Sequence, residues 1–264
     1  MRQLTAGVKK EWLELSRTHR LIALLLTFVG FGVLDPLVIR GVGFLLKIMN
    51  SVPELSELEG MPGMSLSLVM NQSMGLSAFV GDCVNTCLLV AFLLLMRAAG
   101  GEQKKRNCII PITLGFDREC YIYAKFLVYP PLAMLLTFAG FFTAYGASAL
   151  LFSGETIPLS KVLLPALALA LFIAFQVSLL LGLGCATGKA GIWVAVLYGS
   201  TTLLNMALSM LGKNQYNPYA LIAHASNFES IEAADYAVSA GIAVAVCFLA
   251  AVGSAIRFKR KKLV

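Results

Sequence analysis

Charge is what this sequence has least of. Asp, Glu, Lys and Arg together make up 13% of its 264 residues, about half the share of an ordinary soluble domain. So few charges cannot cover the remainder in water, because 58% of the residues are hydrophobic and the mean hydropathy is +0.81. The solvent for most of the chain is therefore a lipid bilayer. Acids are scarcer than bases, 14 against 21, which leaves a net charge of +7. That excess does not point to nucleic acid, since no basic patch is interleaved with aromatics. It lies beside apolar blocks, where positive charge sets membrane topology.

Catalytic pieces are also missing. There is no HExxH, no GxSxG and no Asp pair placed mid-span. Only two histidines occur, and neither lies near a cysteine pair, which argues against a metal site. His19 reads as the end of a surface helix or an interface group, and His224 as a surface group. The stretch Gly184–Lys189, GCATGK, has the look of a phosphate loop but fails its requirements. Its spacing is off by one residue, Ala190 stands where Ser or Thr should follow the lysine, and no strand precedes it. No catalytic, metal-binding or cofactor-binding residue is expected in this chain. Of the six cysteines, Cys83 and Cys87 share a helix face as small apolar groups, not as a disulfide. Cys108 and Cys120 fall in a basic loop assigned to a reducing cytoplasm. No cleavable signal-peptide pattern opens the chain.

What is present is a series of apolar blocks. Residues 1–20 predict an amphipathic helix lying in the membrane interface, with Leu4, Val8, Trp12 and Leu15 on one stripe. Trp12 is expected at headgroup depth, and Arg17 with Lys9 and Lys10 toward anionic lipid. Six spans follow, at about 21–39, 78–96, 123–152, 162–186, 192–211 and 233–256, so the fold class is an all-α membrane protein. Pro36 is expected to kink or end the first span. Residues 48–76 and 213–232 read as external, the first with a short helix over 66–74. Residues 97–122 form a strongly basic loop, and 258–264 a basic tail. Asp35 and Asp82 fall near the far interface. They predict a polar cluster with Arg40 or Lys47, favoured over a substrate or proton site.

Charge sets the orientation. With the N-terminus inside, the lead helix places five Lys or Arg on the cytoplasmic side, the stretch 97–126 six, the turn at Lys189 one and the tail five. That is 17 of 21, concentrated in short loops where the positive-inside rule holds. Both termini are therefore expected in the cytoplasm.

The order of features resembles a known family. The lead KKEWLELSRTHRLIALLLTFVGFGVLDPL is similar to an elbow helix running into a first span that closes on a Ser-Pro-like pair, here Asp35-Pro36. In the basic loop, Glu102 matches the acid and Lys104-Lys105 the basic run. Arg106-Asn107 stands where Gly-Thr is usual, and Gly115-Phe116-Asp117-Arg118 where Pro-x-Ser-Arg is usual. Lys125-Phe126 then matches, as do Tyr216-Asn217-Pro218-Tyr219 before the last span and Phe258-Lys259 in the tail. Together these resemble the membrane permease subunit of type-2 ABC transporters over nearly the whole chain.

The resemblance implies a bacterial cytoplasmic-membrane exporter subunit without enzymatic activity of its own. Two permease chains, identical or homologous, would pair with two copies of an ABC ATPase subunit that carries ATP and magnesium. Glu102, Lys104, Lys105, Arg106 and Arg118 would form the helix that docks in the ATPase, flanked by the elbow helix. The cargo expected is a peptide or drug. The rival readings are an ion-coupled secondary carrier, or a membrane subunit of an immunity or sensor complex. No clear internal repeat links the two halves, which weakens the carrier.

Overall fold

The computed structural model describes residues 2–50, 71–104, 106–152, 157–210, 217–228 and 233–260. Among the described residues every regular element is a helix. Helix α1 is Arg2–Arg17, α2 Arg20–Asn50 and α3 Gln72–Lys104. A short α4, Ile109–Thr113, precedes α5, Arg118–Leu151. Then come α6 Leu159–Thr187, α7 Ala190–Met210, the short α8 Ala220–Ala225, and α9 Ala233–Arg260.

Five of these, α2, α3, α5, α6 and α9, contain stretches long and apolar enough to cross a bilayer. The chain is a multi-pass all-α membrane protein. In α7 the described apolar part, Ala190–Thr201, is shorter than a span. Helix α6 lies at the centre, where Ala168, Leu169, Phe172, Ile173 and Leu180 are all fully buried. It packs against α5, α9, α8 and α7. Helices α2 and α9 carry the outward apolar faces, including Leu26, Val38, Phe248 and Leu249. Such faces need no protein partner in hydrocarbon, since lipid is as apolar as leucine.

Without a hydrophobic drive between helices, close backbone approach does the packing. Where α2 crosses α5, a Cβ on Gly32 would stand 2.5 Å from the Gly140 carbonyl oxygen. A Cβ on Gly140 would stand 2.6 Å from that of Phe28. Only glycine fits at that crossing.

Several boundaries differ from expectation, for identifiable reasons. Pro36 does not end α2, which continues to Asn50. The proline forfeits one backbone bond, and α3 packs directly over it, with Pro36 Cα 3.7 Å from the Cβ position of Gly75. The second span begins at Gln72, where the Asn71 side chain accepts from Met74 N–H at 3.1 Å and caps the helix. Residues 72–74, expected in a separate short helix, belong to α3 with Asn71 as its cap, and residues 66–70 of that expected helix lie outside the described residues. At the other end the helix runs past Arg97 to Lys104 through a π-turn, Arg97–Gly101. Ala98, Ala99 and Gly100 are buried there, with the Cβ position of Gly100 3.1 Å from the Gly184 carbonyl oxygen. Packing on α6 thus extends a helix that the charge of Arg97 seemed to close. The GCATGK stretch is the end of α6 with a left-handed Gly188 cap, φ 76°, before α7. It has no strand and no phosphate-loop geometry.

Candidate functional site: a buried ion network under the elbow helix

Helix α1 lies across α5 and beside α2. It buries only part of the stripe that periodicity suggests, Leu15 fully and Leu4 and Val8 in part. The face turned to the protein is Gly7, Glu11 and Leu15, one residue per turn. Leu4 and Val8 flank it, while Trp12 is 49% exposed and Arg17 is exposed. Gly7 sets the approach, since a Cβ there would meet Ala124 Cβ at 2.8 Å.

Glu11 is the consequence of that approach. It is a carboxylate only 1% exposed, and α5 answers it with a lysine 1% exposed, Lys125, at 3.4 Å. Lys125 also reaches Glu102, at the end of α3, at 3.1 Å. Lys10, half-exposed, touches Glu11 at 3.0 Å and Glu102 at 3.5 Å. Two carboxylates and two ammonium groups therefore balance. Two tyrosines of α5 add donors, while Glu102 Oε1 stays buried without a partner. Tyr129 Oη donates to Glu11 at 2.8 Å, and Tyr121 Oη donates to Glu102. Both ammonium groups lie over the Tyr121 ring, at 4.9 Å for Lys125 and 5.1 Å for Lys10, in cation–π range. Tyr121, Lys125 and Tyr129 recur every four residues, so one face of α5 supplies all three.

Glu11, Glu14 and Glu102 bring carboxylate oxygens within 4.8 Å of one another, a spacing a cation would suit. Lys10 Nζ already serves all three, with Glu14 at 3.9 Å. The counter-charge is internal. A buried ion cluster of this kind fixes geometry more than it adds stability, because desolvation consumes most of the Coulomb gain.

The basic stretch after α3 is held by the same frame. Gln103 Nε2 donates to the Cys185 carbonyl at 2.7 Å, and Asn107 N–H to the Glu102 carbonyl at 3.0 Å. Gln3 of α1 accepts from Asp117 N–H at 3.2 Å. Asp117 caps α5 through Glu119 N–H. Arg106 adopts φ 59°, the left-handed conformation that glycine takes without strain. Arg118 donates to the Lys259 carbonyl at 3.2 Å, at the C-terminal end of α9, where a cation is favoured by the helix dipole. Lys259 returns an ion pair to Glu119 at 2.6 Å. Phe258 stacks on Tyr121 with ring centroids 5.8 Å apart.

Of the expected contact residues, Glu102 is buried inside the network. Lys104 and Arg106 are exposed, and Arg118 is partly exposed. Lys105 lies outside the described residues. The expected outer cluster forms only in part. Asp35 and Asp82 face each other, but Arg40 donates instead to the Leu151 carbonyl at 3.2 Å. The side chain of Lys47 lies outside the described residues. In the Asn-Pro-Tyr stretch, Asn217 Oδ1 accepts from Tyr219 N–H at 3.0 Å. Tyr219 then packs edge-on against Phe172 and Phe175 of α6. No disulfide joins any of the six cysteines.

No protein-family model matches this sequence, and no curated protein matches it either.

Proposed function

We propose that this chain is the transmembrane permease subunit of an ATP-driven ABC exporter in the cytoplasmic membrane of a bacterium. The end carrying α1 faces the cytoplasm, α7 makes the sixth crossing, and both termini are inside. Two such chains pair, and two ATPase subunits bind and hydrolyse ATP beneath them.

One observation carries this reading. Helix α4 and the residue that closes it present Ile110, 65% exposed, and Leu114, 82% exposed, one turn apart. They lie beyond the ends of α3 and α5, among Lys104, Arg106 and Arg118. The exposed apolar residues of α2 and α9 lie along spans and belong to lipid; this pair does not. It is an apolar knob with a basic rim, the complement of an apolar groove with an acidic rim on a soluble subunit. The knob rests on a braced platform. Glu102 and Lys125 tie the end of α3 to the start of α5, and Glu11 ties both to α1. A push on α4 therefore moves three helices together, because packed elements shift between discrete arrangements instead of deforming smoothly. In this reading Glu102 is the internal strut, and Lys104, Arg106 and Arg118 line the rim.

The test is co-purification with a candidate ATPase, followed by ATP-driven transport in vesicles. The Ile110→Asp/Leu114→Asp pair is expected to abolish association, and Leu150→Asp at the opposite end to preserve it. Equal association of both variants with the ATPase sinks the assignment. The rival, an ion-coupled carrier, draws on the ionisable Asp35–Asp82 pair in the spans. Transport that an ion gradient drives without ATP would select it.

A further inference from the structure

At the end of the bundle remote from α1, two carboxyl groups meet with no counter-charge among the described residues. Asp35 of α2 is only 6% exposed, and Asp82 of α3 stands within hydrogen-bonding reach of it. Ionised carboxylates are acceptors only, so neither satisfies the other. Asp35 Oδ2 is buried without a donor.

Among the described side chains the surroundings supply no cation. From α3 the neighbours are the thiols of Cys83 and Cys87. On α2, Arg40 is engaged with the Leu151 carbonyl. From α5, residues 132–151 contribute no charged side chain, and Tyr145 donates to the Ile157 carbonyl at 2.9 Å. Among the described residues neither acid forms an ion pair. Two adjacent acids in a medium of low dielectric constant cannot both be ionised.

A second observation comes from the same junction of α2, α3 and α5. Ser148 Oγ is buried there without a partner. Ser148 Oγ lies 2.8 Å from the Cβ position of Gly75, which also meets Cα of Pro36, the neighbour of Asp35. Buried unsatisfied polar groups are rare in native folds, and each calls for a cause. Helix α3 also leaves α geometry directly after Asp82, in the π-turn Cys83–Cys87, a distortion that recurs at functional positions.

We propose that Asp35 and Asp82 form a proton-binding site that holds one proton between the two carboxyl groups. The proton comes from water and returns to water, and no other bond changes. When bound, it converts the facing acids into a donor–acceptor pair that ties α2 to α3. When lost, it leaves two like charges in contact, which drive the helices apart. The pair therefore makes the α2–α3 contact respond to pH. This inference does not depend on the exporter reading.

The test is infrared difference spectroscopy of the purified full chain in lipid nanodiscs. At neutral pH a neutral-carboxyl C=O band is expected that shifts on deuterium exchange and titrates as one proton. Asp35→Asn and Asp82→Asn, each close to isosteric, are both expected to remove it. In parallel, the wild-type melting temperature is expected to fall as the solution becomes alkaline, and that of the double Asn variant to stay level. Absence of the band, or its survival in both single variants, overturns the proposal. So does a wild-type pH profile as flat as that of the double variant. Loss of the band on adding sodium at fixed pH overturns it as well, since the pair would then be a metal-cation site.

Discussion

Lys125 Nζ stands 3.4 Å from the Glu11 carboxylate, and each side chain is 1% exposed. A lysine inside a long apolar helix thus reaches a glutamate of the helix lying across it, and the contact excludes solvent from both. Lys125→Met is expected to leave Glu11 and Glu102 with Lys10 alone. Breaking a buried pair on one side costs about 3–5 kcal/mol, read as a lowered melting temperature in detergent. Glu11→Gln combined with Lys125→Met is expected to cost less than the two single changes added together, because they share one interaction. Additive losses would mean that the two groups are energetically independent.

Arg106 occupies the left-handed region, at φ 59°. That conformation costs an ordinary residue about 1–2 kcal/mol. Arg106→Gly is therefore expected to raise the melting temperature, and Arg106→Val to lower it. A glycine variant no more stable than wild type would show that the strain is absent.

The α2–α5 crossing tolerates no side chain at Gly140, whose Cβ position lies 2.6 Å from the Phe28 carbonyl oxygen. Gly140→Leu is expected to part the two helices and abolish accumulation of folded protein, measured by size-exclusion profile. Gly146, on the same helix, has nothing within 4 Å of its Cβ position. Gly146→Ala is expected to behave as wild type.

Leu114 and Leu150 are both strongly exposed and lie at opposite ends of α5 and its approach. In a cysteine-free background, Leu114→Cys and Leu150→Cys are expected to react with an impermeant maleimide from opposite faces of the membrane. Leu114 is expected to react only in inverted vesicles. Labelling of both from one side would refute the transmembrane placement of α5.

Five of the six expected spans were readable because hydropathy over about 20 residues is a strong signal. The elbow helix was readable from its charge and periodicity, but its buried face was not. Glu11 looks like one more solvated charge, and nothing local marks it as the residue that meets Lys125, more than a hundred positions away. The one available hint was Tyr121, Lys125 and Tyr129 at four-residue spacing, which puts a lysine between two hydroxyls on one helix face. Glu102 stood out as an acid in a basic loop, yet its burial depends on how far α3 continues past Arg97. That continuation is decided by packing against Gly184 and Ala190, not by local propensity. The Asp35–Asp82 contact likewise needed the register of α2 against α3, which no single segment contains.

The fastening of α9 onto α5 bears on the order of assembly. Arg118 and Tyr121 each gain a further contact, to the Lys259 carbonyl and the Phe258 ring, from the end of the last described helix. During synthesis the chain emerges from its N-terminal side first, so α1, α3 and α5 are in place while those two positions still await them. Insertion into the membrane and completion of the α1 end are thus separate events in time. A chain truncated before Phe258 is expected to insert yet stay unfinished, with the Tyr121 ring lacking its stacking partner.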